Sequence, residues 1–203
     1  MSLVRRELGS GSETVVYSQS NGLDLLPAAV TADGVSLLYS KVARDGGSDI
    51  LLRPLKGKGD ARVLIGTPAD DRYAQLSPDG RWLAWASDES GRYEVYVAPF
   101  PESGGSHFQV SREGGTQPRW NPKGSELFFK TPENMLTAVP FRASSSTFAV
   151  GTPVALFPIV EFPGWTYALA ADGERFLVRE PLEEREASPV TLLTDWASLA
   201  RRR

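Results

Sequence analysis

Any chemistry in this chain would have to run through very few side chains. His107 is the only histidine and no cysteine is present. A Ser-His-Asp system would therefore need His107 as its base, between a serine nucleophile and a carboxylate. Its neighbours are Ser106 and Phe108 at the start of a predicted outer strand, a setting for a structural or solvated imidazole. The Gly-x-Ser-x-Gly elbow fails at its last position in Gly46-Gly47-Ser48-Asp49-Ile50 and in Gly104-Gly105-Ser106-His107-Phe108. Gly57-Lys58-Gly59 lacks the spaced glycine and the Ser or Thr of a phosphate loop. Without cysteine there are no disulfides, no thiol catalysis and no thiolate metal sites.

The carboxylates give the same answer. Asp70-Asp71, Asp88-Glu89 and Glu183-Glu184 are adjacent pairs in polar stretches, where neighbouring side chains point apart or into water. None has the alternating oxygen-ligand spacing of a calcium loop. The expectation is a chain with no catalytic residues, no metal site and no cofactor.

The elements that would position any site come from a repeat. TADGVSLLY (31–39), SPDGRWLAW (77–85), NPKGSELFF (121–129) and AADGERFLV (170–178) each set a turn dipeptide before an apolar run. The residues before the glycines are Asp33, Asp79, Lys123 and Asp172, at intervals of 46, 44 and 49. A period in the forties built around a hairpin is the signature of radially repeated four-stranded sheets. Asp-Gly between two strand-like runs reverses the chain, because glycine accepts positive φ and aspartate caps local amides. The recurring aspartates therefore belong to the turn. The predicted fold is an all-β propeller of four-stranded antiparallel blades, about four in this chain.

Blade boundaries follow the register: 1–20 (partial), 27–66, 73–111, 116–157 and 166–196 (partial). Residues 3–8 and 14–17 read as third and fourth strands without a first pair, and 167–178 with 190–196 as three strands without a fourth. In one reading 14–17 pairs beside 190–196 and closes a small ring. In the other the chain is the C-terminal part of a larger propeller, since six to eight blades need roughly 270 to 360 residues. The second reading accounts for third-strand material at both ends. An incomplete ring would expose a blade face and favour a homodimer.

Composition sets further bounds. With 22 basic and 25 acidic side chains the net charge is −3, which gives no electrostatic case for nucleic acid. Arg201-Arg202-Arg203 is a local exception that reads as a solvated tail. No stretch approaches the roughly 20 apolar residues of a membrane span, and the opening MSLVRRELGS has no apolar signal region.

QLSPDGRWLAWASDESGRYEVYVAPFP (75–101), GGTQPRWNPKGSELFF (114–129) and PLEEREASPVTLLTDW (181–196) resemble TolB-like, WD-repeat-like β-propeller repeats. More narrowly, they are similar to the propeller at the C-terminal sensor region of bacterial serine/threonine protein kinases. The resemblance implies a non-catalytic module, an extracytoplasmic, periplasmic-side location, and a kinase encoded upstream. No kinase glycine-rich loop, His-Arg-Asp or Asp-Phe-Gly element is present in this chain. Related propellers also gate prolyl-oligopeptidase-type hydrolases, which is the alternative. Lys123 in place of the turn aspartate and Ala170-Ala171 in place of Ser-Pro depart from the pattern.

In this topology the loops entering first strands and those joining second to third strands gather at the channel mouth. Binding residues concentrate on such loops, and Trp, Tyr and Arg dominate protein interfaces. The candidate set is Arg72, Tyr73, Arg92, Gln117, Arg119, Trp165 and Tyr167, for a protein or peptide partner. Trp82, Trp85 and Trp120 are expected to pack between blades, a role that Tyr73 and Tyr167 can also fill.

Overall fold

The computed structural model describes residues 2–7, 9–18, 24–43, 46–56, 59–102, 105–144, 147–162 and 164–179. The third strand expected at 190–196, the matching segment 181–196, Glu183-Glu184, Gly57-Lys58 and the terminal arginines lie outside them. Among the described residues every sheet is antiparallel and all regular structure is β. The first sheet is the hairpin β1 (Ser2–Arg6) and β2 (Glu13–Ser18). The second runs β3 (Leu25–Val30), β4 (Ser36–Val42), β5 (Ser48–Pro54), β6 (Arg62–Ile65) in spatial and chain order. The third does the same with β7 (Arg72–Leu76), β8 (Trp82–Ser87), β9 (Glu94–Pro99) and β10 (Phe108–Gln109). The fourth is built on β11 (Thr116–Trp120), β12 (Glu126–Lys130) and β13 (Met135–Ala143). The fifth is the pair β16 (Tyr167–Leu169) and β17 (Phe176–Val178).

The repeated dipeptide makes the same turn four times. Gly34, Gly80, Gly124 and Gly173 have φ of 69°, 68°, 73° and 71°, a region that disfavours residues with a Cβ. Each glycine N–H donates to the carbonyl three residues back, as from Gly80 to Ser77 at 2.9 Å and from Gly124 to Asn121 at 2.8 Å. Asp79 Oδ1 accepts from Ser77 Oγ (2.6 Å) and from the Arg81 N–H (3.1 Å). Where Lys123 replaces the aspartate, Asn121 takes over: its Oδ1 accepts the Lys123 N–H at 3.0 Å. This is a different amide from the one that Asp79 caps, which lies two residues further on at Arg81; the turn survives because Gly124 keeps its positive φ and its bond to Asn121 O while the Asn121 carboxamide caps the turn from its first position.

Strand alternation then decides the packing. In β4, Leu37 and Tyr39 face the first sheet and Leu38 faces the third. In β8, Leu83 and Trp85 face the second sheet, while Trp82 and Ala84 face the fourth. In β12, Leu127 and Phe129 face the third sheet and Phe128 the fifth. Four apolar clusters thus lie between successive sheets, which is why these inner strands are apolar on both faces. Each fully buried side chain contributes about 1.5–3 kcal/mol, and a one-residue slip would send it to the wrong neighbour.

The fourth sheet differs from expectation at its outer edge. A four-stranded blade over 116–157 has one outer strand there. Instead β14 (Phe148–Val150) pairs with the far half of β13 and β15 (Val154–Pro158) with the near half. The break falls where Pro153 has no N–H to donate, and Gly151 N–H closes on Pro140 O at 2.7 Å. The extra strand brings Phe148 into the core, stacked on Phe141 with centroids 4.9 Å apart and in contact with Trp82.

Candidate functional site

Two bulges shape the face on which the candidate residues lie. Pairing slips by one residue between Arg72 and Gln75 in β7 and between Thr116 and Arg119 in β11. Tyr73 and Gln117 occupy the same repeat position, four residues before Ser77 and Asn121. They have φ of 58° and 56°, a conformation that bulky L-residues adopt only where the surroundings impose it. A bulge re-aims the side chains beside it.

Beside these bulges runs a groove of about 700 Å³, lined by Arg72, Tyr73, Arg92 and Gln117 of the candidate set together with Tyr93 and Lys130. Arg72 Nε is paired with Asp70, whose Oδ2 also accepts the Tyr93 hydroxyl. Burial, then the bond to the Asp70 carboxylate, pushes the Tyr93 phenol well above its ordinary range. Burial alone would lower the Arg72 guanidinium, but the Asp70 bond and charge outweigh it and leave it raised. Arg92 Nε donates to Glu94 Oε1 at 2.7 Å. Glu94, its side chain 1% exposed, also accepts from Ser111 Oγ and from the Gly114 N–H (3.0 Å). Both arginines are therefore held through Nε by buried carboxylates.

Gly114 explains part of the Gly-Gly-Thr-Gln-Pro-Arg-Trp string. Its φ is 98°, and a Cβ there would lie 2.4 Å from Pro132 Cγ. A side chain there would have to displace Pro132, which also lines the groove, or the loop whose N–H bonds Glu94.

Gln117, which also lines the groove, and the remaining candidates Arg119, Trp165 and Tyr167 act as a latch between the fourth and fifth sheets. Buried Gln117 accepts from the Thr166 N–H (2.8 Å) and Thr166 Oγ1 (2.9 Å) through Oε1, and donates Nε2 to Gly164 O at 2.9 Å. Its own carbonyl accepts the Tyr167 hydroxyl at 2.7 Å. Tyr167 is buried in the core, and its phenol is raised far above its ordinary range by burial. Arg119 Nε donates to Tyr167 O at 3.1 Å. Tyr73 meets the Trp165 ring edge-on at 5.1 Å. Tyr167 thus presents its hydroxyl to Gln117, whereas Tyr73 reaches the groove.

Lys130 and Glu161 were not singled out from the sequence. Lys130 Nζ donates to Asn134 Oδ1 at 2.9 Å and lies 3.4 Å from Glu161 Oε1. A signal did exist: six residues after each turn glycine the repeats hold Ser40, Ala86, Lys130 and Arg179, so the last two are basic where the first two are small. The Arg179 guanidinium lies 3.7 Å from the centroid of Phe162, another residue lining the groove. His107 sits elsewhere, its Nε2 2.7 Å from Glu89 Oε1 and its ring edge-on to Tyr96 and Trp85. Among the described residues no group of three or more His, Asp or Glu side chains is placed to hold a metal ion.

Solved structures share the fold of this chain. TolB from Acinetobacter baumannii matches with a TM-score of 0.55 and 17% identity, over 85% of this chain and 46% of that one. The fold is propeller-like. A 6-phosphogluconolactonase homologue from Bacteroides fragilis matches with a TM-score of 0.58 and 12% identity, over 87% of this chain and 57% of that one. A prolyl endopeptidase matches with a TM-score of 0.56 and 15% identity, over 84% of this chain and 25% of that one. The chain spans 46%, 57% and 25% of the lengths of these three, less than two thirds of each. No family model and no curated protein sequence matches the chain. No helix among the described residues is long and apolar enough to cross a membrane.

Proposed function

We propose that this chain is a non-catalytic interaction or sensor module that binds a protein or peptide partner across the Arg72–Tyr73–Arg92 groove. In this reading it forms the C-terminal, extracytoplasmic region of a bacterial serine/threonine protein kinase or of a TolB-like protein. The observation that carries it is the groove itself, where arginines preset by buried carboxylates stand beside aromatic rings on a rigid β scaffold. Such a surface suits recognition, because Arg and Tyr anchors supply most interface energy when their geometry is fixed beforehand.

A photo-crosslinking residue in place of Phe162 tests this directly in cells that make the native protein. A discrete adduct whose added mass is a polypeptide supports the proposal. No adduct, or equal adducts from the same residue at outer-strand Val63, overturns it. The second reading, a gating propeller of a prolyl-oligopeptidase-type hydrolase, draws on the likeness to the prolyl endopeptidase. A peptidase domain encoded in the same gene would select that reading and a kinase domain the first. Light scattering reads the oligomeric state: the exposed Val4, Val15 and Leu177 on the first and last sheets favour a dimer if no common blade covers them.

A further inference from the structure

We infer that the partner segment seated in this groove is an acidic peptide, and that Glu161 occupies in the free protein the place of one of its carboxylates. The inference rests on the proposed binding role and adds the chemistry of the ligand. It starts from three ion pairs that are built in two different ways. In the first two, the carboxylate is buried and the cation faces the groove: Arg72 over Asp70, and Arg92 over Glu94. Each guanidinium gives its Nε to the carboxylate beneath and one Nη2 N–H to a backbone carbonyl, Gly46 O for Arg72 and Arg112 O for Arg92, which fixes its plane; a guanidinium has five N–H donors, so others can serve an incoming acceptor.

The third pair is inverted. Lys130 is the buried partner, with 7% of its side chain exposed, and Glu161 is the surface partner, with 67% exposed. A buried ammonium needs an anion near it. Glu161 supplies one at 3.4 Å, long for a charge-assisted hydrogen bond, while Asn134 makes the shorter contact at 2.9 Å. An exposed side chain on a long-range contact is easily displaced by a ligand carboxylate that approaches closer. Arg179 flanks the same end over Phe162. The three cations, Arg72, Arg92 and Lys130, are balanced by three carboxylates, but Asp70 and Glu94 lie beneath their arginines, so the exposed charges that a ligand meets are the Arg72 and Arg92 guanidiniums and the displaceable Glu161. Local complementarity of that kind selects acidic partners and speeds their encounter.

The test is fluorescence anisotropy of the whole chain with a fluorescein-labelled hexaglutamate amide, compared with hexaglutamine and hexalysine amides of the same length. Hexaglutamate should bind, hexaglutamine and hexalysine should not, and the affinity should fall as salt rises. Glu161→Gln should tighten hexaglutamate roughly threefold to tenfold, because the competing carboxylate is gone. Lys130→Met should weaken it by more than about tenfold, and Arg142→Gln, on the distal part of β13, should leave it unchanged. Glu161 is on the surface, so its variant reads the inference even if Lys130→Met fails to fold. Equal binding of hexaglutamate and hexaglutamine, or a Glu161→Gln variant that binds no tighter, overturns the inference. So does a 12-nucleotide oligothymidylate that binds as well as hexaglutamate, which would mark general polyanion attraction. A crosslinked polypeptide at Phe162 without hexaglutamate binding would remove this inference alone and leave the binding role standing.

Discussion

The guanidinium of Arg119 lies 4.0 Å from the centroid of the Trp165 ring and 5.7 Å from that of Tyr167. Arginine and tryptophan, two residue types common in binding surfaces, are here stacked on one another between the fourth and fifth sheets. Burial lowers the Arg119 guanidinium from its ordinary value, so the stack is partly desolvated.

Arg119→Ala therefore tests packing before binding. A cation–π contact of this kind contributes about 0.5–2 kcal/mol, and the lost bond to Tyr167 O adds about 1 kcal/mol. At roughly 2–4 °C per kcal/mol for a chain of this size, the melting temperature should fall by several degrees. An unchanged melting temperature would assign the pair to ligand contact instead.

Gln117→Ala should loosen the fifth sheet specifically. It strands the Thr166 N–H in a buried setting, at about 1–3 kcal/mol. Amide exchange should accelerate at Thr166 and through 167–169 while residues 82–87 stay protected. Uniform acceleration would show that the third and fifth sheets unfold as one unit.

Gly114→Ala should destabilise through both its backbone and its neighbour. The positive φ costs about 1–3 kcal/mol, and the new methyl group meets Pro132. Adding Pro132→Ala should recover only the steric part. Full recovery in chemical denaturation would mean that the φ of 98° is not enforced.

The pH dependence has opposite signs at two aspartates. Burial holds the fully buried Asp71 carboxyl above its ordinary 3.8, against hydrogen bonds from Ser87 and Thr67. The native state then holds this proton more tightly than the unfolded chain, so stability falls as pH rises from 3.8 through the raised value. Asp71→Asn should raise the melting temperature at pH 7 and give no gain at pH 3. A loss at pH 7 would show that the fold needs the charge. For Asp79, burial is outweighed by bonds from Ser77 and Arg81, and the carboxyl is lowered. Its contribution is present above 3.8 and disappears as pH falls through the lowered value, so Asp79→Asn should lose its effect in acid.

The turns, the inner strands and the tryptophan positions were legible because each rests on local chemistry. Gly80 after Asp79 dictates a reversal wherever it stands, and an apolar run such as Trp82 to Trp85 must be covered on both faces. The groove was legible only in part. Arg72, Tyr73 and Arg92 were expected on loops, but Arg72 and Tyr73 lie in β7, and Gln117, Arg119 and Tyr167, chosen on the same grounds, are spent on joining two sheets. Lys130 escaped because a lysine at a strand end reads as a solubilising charge. Its position beside Ser40 and Ala86 in the repeat alignment carried the contrary signal.

By itself the sequence determined the period, the hairpins and the alternation that sends Trp82 one way and Trp85 the other, since all three depend on contacts within a few residues. The tertiary structure alone decided the bulges at Tyr73 and Gln117 and the broken edge that admits Phe148. It also decided which charge of each ion pair is buried. Those outcomes depend on what the neighbouring sheet presents some 45 residues away, and no residue encodes its neighbour's surface.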